Sequence, residues 1–229
     1  MAEDAGPARG PVAPTRVVIV DDDALVRTLL TRILGAAGIE VVGEADDGDG
    51  AVEAVRVHHP DVVLMDLRMA RLNGIEATRL VRELPGAPGV IALTSFDAPT
   101  AVLHAVAAGV AGFLAKDAAP EEIVEAVRQV ASGAGALSPR AARVVLGSIQ
   151  DSTHEVVRRE AAARLRGLSQ REWDVATALT EGLSNPDIAR RLFVSEATVK
   201  THIQSACLKA GVEGRVQLAV LCARAGVGV

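Results

Sequence analysis

Cysteine is scarce: the 229 residues hold two, Cys207 and Cys222. Two cysteines are too few for a disulfide framework, and their spacing is not that of metal ligands. They read as small buried apolar residues. Long hydrophobic runs are missing as well. No stretch approaches the ~20 apolar residues that span a bilayer, so no membrane partner is expected. The opening segment, Met1 to Pro14, carries Glu3 and Asp4 and has no apolar block. It does not read as a signal peptide, and a cytoplasmic location is expected. These absences exclude a membrane protein and a secreted disulfide scaffold. What is present excludes a chain disordered throughout: 49% of residues are hydrophobic and 23% charged, enough to bury one large core or two modest ones.

The net charge of −5 hides an asymmetry. Arg16 to Gly135 carries −8, Ala136 to Arg159 carries +2, and Glu160 to Val229 carries +2. An acidic first half joined to a mildly basic second half suggests two domains with different partners.

The first half alternates short β-branched runs with helical periodicity. Strands are predicted at Val17–Val20, Val41–Val42, Val62–Met65, Val90–Leu93 and Gly112–Leu114. Helices are predicted at Leu25–Ala37, Ala51–Val57, Ile75–Leu84, Thr100–Ala108 and after Pro120, with Glu121 and Glu122 in its first turn. Five such units imply an α/β, doubly wound, five-stranded parallel sheet covered on both faces. Ligands of such sheets sit beyond the carboxyl ends of the strands. There the chain places Asp21 and Asp22, Asp66, Thr94 and Lys116, each just past a different strand apart from the first pair. A single Asp after a strand is most simply a turn residue or a helix cap. Five suitable residues at four strand ends point instead to a site. Gathered carboxylates repel one another unless a cation neutralises them. Hard oxygen donors suit Mg²⁺ beside a phosphoryl group, a lysine and a hydroxyl can hold phosphoryl oxygens, and a carboxylate can be the nucleophile.

The runs "VVIVDDDALVR", "DVVLMDLRMARLNGIEATR", "IALTSF" and "GVAGFLAKDAAPEEI" resemble the receiver domain of two-component response regulators. The resemblance implies a flavodoxin-like receiver in which Asp66 is the phospho-acceptor. It implies Mg²⁺ bound by Asp22 directly, by Asp21 mainly through water, by Asp66 and by the backbone carbonyl of Arg68. Thr94 would bond the phosphoryl group, Lys116 would pair with it, and Phe113 would be an aromatic switch; a plain core aromatic is the other reading of Phe113. No catalytic role falls to Asp23. One departure stands out. Ala70 occupies a position where the family usually has proline, so the loop after Asp66 loses a φ constraint and is expected to be more mobile.

Ser132 to Ala136 is small and flexible, and Ala141 to Arg166 reads as a partly exposed linker helix with a solvated charged face at Arg158, Arg159 and Glu160. From Leu168 the pattern is all helical. Ser169 with Glu172 has capping-box spacing, as does Ser184 with Asp187. Ser195 opens a third helix that runs to about Ala210 and stops at Gly211. Two helices joined by a turn at Phe193-Val194 make a helix-turn-helix. Val199, Ile203, Ala206 and Ala210 share the inward face, and Lys200, Thr201, Gln204 and Ser205 point elsewhere. A small helical bundle with a polar surface would show the same periodicity.

The runs "GLSNPDIARRLFVSEATVKTHI" and "GRVQLAV" resemble the LuxR-type DNA-binding domain. The resemblance implies base-edge contacts from Lys200, Thr201 and Gln204, and phosphate contacts from Thr198 and Lys209. A last helix, from about Arg215 to Arg224, would supply the dimer face with Val216, Leu218, Ala219 and Leu221. Ala206, Cys207 and Ala210 stand where bulkier aliphatics are usual, so looser packing is expected. Ser205 replaces a longer polar side chain, and a backbone contact is expected to be missing.

The expected division is a receiver at 15–135, a linker with a helix at 136–166, and a small all-α helix-turn-helix domain at 167–229. Together the two resemblances are to the NarL/FixJ family of response regulators. They imply a cytoplasmic transcription regulator, not an enzyme, that a sensor histidine kinase phosphorylates at Asp66 in a Mg²⁺-dependent step, and that binds double-stranded DNA as a homodimer when active. Two other readings stay open: a DNA-binding regulator controlled independently of phosphorylation, and a metal-dependent phosphatase or phosphotransferase.

Overall fold

The computed structural model describes residues 13–95, 99–150 and 155–227. The opening segment up to Val12, read above for a targeting signal, lies outside the described residues.

Five βα units fold as the strand and helix patterns require. They are β1 (Arg16–Val20), α1 (Ala24–Ala36), β2 (Glu40–Ala45), α2 (Gly48–His58), β3 (Val62–Asp66), α3 (Gly74–Arg82), β4 (Gly89–Thr94), α4 (Pro99–Ala107), β5 (Gly112–Ala115) and α5 (Pro120–Ala131). All strand pairs are parallel, and the order is β2-β1-β3-β4-β5-β6. Alternation along the strands splits the core into two layers. Val17, Ile19, Val62, Leu64, Ile91 and Leu93 face α1 and α5 through Leu30, Leu34, Ile123 and Val127. Val18, Val20, Val63, Met65, Val90 and Phe113 face the opposite layer, with Val55, Val81 and Val102.

The sheet has six strands among the described residues, where the sequence pattern predicts five. β6 (Ala136–Leu137) pairs with Gly112 and Phe113 at the edge of β5. Ala136 ends the stretch expected to be small and flexible, and with Leu137 it extends the sheet past position 135. Helix is then present on both sides of positions 151–154, which lie outside the described residues: α6 (Pro139–Gln150) and α7 (Glu155–Leu165).

The C-terminal part is all helical, with α8 (Gln170–Thr180), α9 (Asn185–Leu192), α10 (Glu196–Ala210) and α11 (Arg215–Arg224). Its boundaries are written in side-chain caps. Ser169 and Glu172 form a complete capping box at α8. Ser184 caps α9 and Ser195 caps α10. Phe193, at φ 55°, ends α9, and Gly211, at φ 64°, ends α10. Arg164 of α7 donates to the carbonyls of Ala210 and Gly211 at 2.9 and 2.7 Å, a cation on the orphan carbonyls of the α10 C-terminus.

One apolar cluster runs from the Phe113 face of the sheet through α4 and α6 into α8, α10 and α11. Polar contacts cross the same boundary. Arg82 Nη2 donates to Glu213 Oε2 at 2.8 Å, Gln217 Nε2 donates to the Val110 carbonyl at 3.0 Å, and Lys200 Nζ donates to the Ser132 carbonyl.

Candidate functional site

Parallel topology brings the ends of β1, β3 and β5 together, and with them Asp21, Asp66 and Lys116. Asp21 and Asp66 are buried, and Asp22 is exposed. One carboxylate oxygen from each of the three acids lies within 4.8 Å of the other two. Lys116 Nζ bridges two of them, at 2.7 Å from Asp66 Oδ2 and 3.1 Å from Asp21 Oδ2. The second oxygen of Asp66 accepts from the Arg68 N–H at 3.2 Å, and that of Asp21 accepts from the Asp23 N–H at 2.9 Å.

The electrostatics follow from burial. Loss of water pushes the Asp66 carboxyl above its ordinary range, against the pull of Lys116 and the Arg68 N–H. Burial also works against the Lys116 charge, yet its hydrogen bonds to Asp66 and Asp21 hold its pKa above the usual lysine value. Three hard oxygen donors converging on one point, one of them open to solvent, are a donor set that fits Mg²⁺. Thr94 closes β4 at the same edge and is nearly buried; Phe113 lies on β5, buried in the opposite layer. Asp23 caps α1 through the Leu25 N–H at 2.8 Å.

At the other end of the molecule, α10 presents two faces. Val199, Ile203, Ala206, Cys207 and Ala210 are buried. Small residues at 206, 207 and 210 therefore still form the inner face. Thr201 and Gln204 are exposed, and Thr198 sits half-buried in the first turn with its hydroxyl 2.8 Å from Ser195 Oγ. Lys200 reaches the C-terminus of α5, where it binds the Ser132 carbonyl.

The Lys209 side chain is partly exposed, and its Nζ lies 2.8 and 2.7 Å from the two carboxylate oxygens of Glu172. Ser205 is part of the same network and donates to Glu172 Oε1 at 2.6 Å. The lost long side chain is thus replaced by an internal bond. Val216, Leu218, Ala219 and Leu221, expected at a dimer face, are all buried within the chain in this arrangement. They pack against α6, α7 and α8.

Sequence reading missed Glu172 and Arg215 as organisers. Glu172 was legible as a helix-capping residue, but not as a partner for Lys209. Arg215 is buried, donating to Asn185 Oδ1 at 3.1 Å and to the Leu183 carbonyl at 2.6 Å. Loss of water lowers its pKa to about 10.

An acidic crevice over a parallel sheet and a capped helix-turn-helix on one chain define a receiver joined to a LuxR-type output domain. The family model "Response regulator receiver domain" matches residues 17–128, and "Bacterial regulatory proteins, luxR family" matches residues 166–222. The chain belongs to the NarL-type response regulators and is a transcriptional regulator of the two-component class. It is 39% identical to the "Probable transcriptional regulatory protein NarL" of Mycobacterium tuberculosis, over 87% of this chain and 89% of that one. It is 31% identical to the "Nitrate/nitrite response regulator protein NarL" of Escherichia coli, over 90% and 94%. Among solved structures, the response regulator ChrA of a heme-sensing two-component system superposes with a TM-score of 0.53 at 33% identity, covering 94% of this chain and 100% of that one.

Proposed function

We propose that Asp66 accepts a phosphoryl group from a sensor histidine kinase and that this modification controls DNA binding by α9 and α10. The observation that carries the reading is the buried Asp66 carboxylate held at 2.7 Å by Lys116 beside two further acids. A carboxylate oxygen of Asp66 attacks phosphorus, the bond from phosphorus to the donor breaks, and the donor leaves with that bond's electrons. Asp21, Asp22, Asp66 and the Arg68 carbonyl would hold Mg²⁺, which supplies charge neutralisation for the transferred group when bound. Lys116 already bridges Asp66 and Asp21, so it is placed to shift one hydrogen bond onto a phosphoryl oxygen. Thr94 would donate its hydroxyl to another, and Phe113 would respond to that movement.

The same reading assigns 15–135 to the receiver with β6 added at its edge, 136–166 to the connection, and 167–229 to the DNA-binding domain. Thr201 and Gln204 are the exposed candidates for base edges in a double-stranded DNA major groove. Lys200 joins them once it leaves Ser132. A homodimer through α11 requires that helix to come away from α6. No helix among the described residues is long and apolar enough to cross a membrane.

The test is intact mass after incubation with acetyl phosphate and Mg²⁺, comparing the wild type with Asp66→Asn. A phosphate adduct in the wild type alone supports the reading. No adduct in either folded protein favours a regulator controlled independently of phosphorylation.

A further inference from the structure

The loop that follows Asp66 is held from outside the site. It starts at Leu67 and ends at Asn73, which caps α3. Ala70 lies in its middle, without the ring constraint of proline, and both Ala70 and Arg71 are exposed. Leu67 and Met69 anchor the loop's first part in the apolar core, and the exposed part around Ala70 and Arg71 takes its backbone hold from elsewhere. Just past its end, Gly74 backs onto Asp66 so closely that a Cβ there would lie 1.9 Å from the Asp66 carbonyl oxygen. At its far end, the α2 N-terminus takes hold. Asp47 is 3% exposed. Its Oδ2 accepts from the Arg71 N–H at 2.9 Å and its Oδ1 from the Leu72 N–H at 2.8 Å. The next residue, Gly48, donates its N–H to the Leu72 carbonyl at 3.2 Å, and a Cβ at Gly48 would meet that oxygen at 2.3 Å.

Only one of the Asp47 carboxylate's three hydrogen bonds serves its own helix. That is the cap to the Asp49 N–H, and at 3.4 Å it is the longest of the three. The two shorter ones go to the loop, 24 and 25 residues away. The guanidinium of Arg71 adds contacts to Asp46 and Asp49 at 3.2 and 3.1 Å, but it is 61% exposed, and such pairs contribute little. The clasp is therefore the buried carboxylate on two backbone N–H groups, charge-assisted bonds in a place without competing water.

We propose that Asp47 is a positioning residue of the phosphoryl-transfer site, fixing the loop that carries the Arg68 N–H and carbonyl. The inference rests on the reading that Asp66 is phosphorylated with Mg²⁺. Asp47 touches neither Asp66 nor a phosphoryl group. It acts by presetting the backbone between Leu67 and Asn73, so that Mg²⁺ does not have to order that backbone on binding. It also explains how the loop holds its shape with alanine at position 70.

Asp47→Ser separates the two uses of the side chain, because serine caps a helix well but is too short to reach the loop. Asp47→Asn keeps one acceptor oxygen for Asp49 and Leu72 and loses the bond to Arg71. Two quantities are measured on the full chain: the Mg²⁺ concentration giving half-maximal phosphorylation by acetyl phosphate, and amide hydrogen exchange in peptides spanning 67–73. The order expected for both is wild type, then Asn, then Ser. Half-saturating Mg²⁺ should rise about tenfold in Asp47→Ser, the low end for partners behind metal ligands, while the rate at saturating Mg²⁺ stays near wild type. Exchange at 67–73 should quicken while β1 and β3 remain protected. If the wild type is phosphorylated and Asp47→Ser matches it in both measurements, the inference is overturned and the phosphorylation reading stands. If the wild type gives no adduct, both fall. Should Asp47→Ser fail to fold, the Asn variant against wild type makes the same comparison.

Discussion

Lys209 Nζ lies 2.7 Å from Glu172 Oε2, tying the last turn of α10 to the first turn of α8. The carboxylate is 5% exposed and also receives the Ser205 hydroxyl and the Ser169 N–H. One side chain therefore caps α8 and sets how α10 lies against it. Replacing Lys209 by alanine leaves that carboxylate short of its cation. Stability should fall by about 1–3 kcal/mol, the range for losing a partner of a buried charged group. The slope of DNA affinity against salt should not change. A lysine on phosphate would instead reduce that slope by about 1. Urea unfolding and DNA titrations at several salt concentrations check both halves.

The same network makes a pH prediction. Lys209 chiefly, with Ser205 and the Ser169 N–H, holds the Glu172 carboxyl at about 2 against an ordinary 4.5. A depressed folded-state pKa contributes stability above the unfolded value and loses it as pH falls through the folded one. The advantage of wild type over Glu172→Gln should thus be full above about pH 4.5 and shrink steadily toward about pH 2. Urea midpoints of the two proteins across that range measure the gap. A gap that stays constant would assign the network's contribution to packing instead of charge.

The strand-end residues were legible because topology alone determines them. Val17–Val20 and Val62–Met65 end in acids, and parallel strands put those acids at one edge whatever the details of packing. β6 was not legible: Ala136 and Leu137 carry no strand signal of their own and become a strand only by pairing with Gly112 and Phe113. Glu172 was half-legible: its spacing from Ser169 marks a helix cap, but its second job depends on Lys209, far along the chain. Asp47 was not legible, because its bonds to Arg71 and Leu72 join segments 24 and 25 residues apart. The covering of α11 by α6 was not legible for a related reason. Apolar spacing on α11 says that a face is buried and is silent on whether a second copy or α6 buries it.

Both thiols should be unreactive in the folded chain. Burial pushes Cys207 up to about 11 and Cys222 up to about 12, so thiolate is scarce near neutral pH. An aromatic disulfide reagent should label neither in native protein and both after unfolding in urea. Prompt labelling of one thiol without denaturant would mean that α10 or α11 opens locally.

Arg82 and Glu213 offer a way to weigh the contact between the two halves. Their 2.8 Å bond joins α3 to the turn before α11 and is partly exposed, so its worth is about 0.2–1 kcal/mol. In this arrangement Lys200 is bound to Ser132 and α11 is covered, so DNA binding competes with the contact. Affinity then scales with the fraction of chains that are open. Glu213→Arg sets two cations against each other and should raise the DNA affinity of unphosphorylated protein by about two- to fivefold. Adding Arg82→Glu restores an opposite-charge pair and should return affinity toward wild type. Both variants leave α10 untouched, so a change in affinity without the reversal would place the effect on the DNA side of Glu213 rather than in the contact with Arg82.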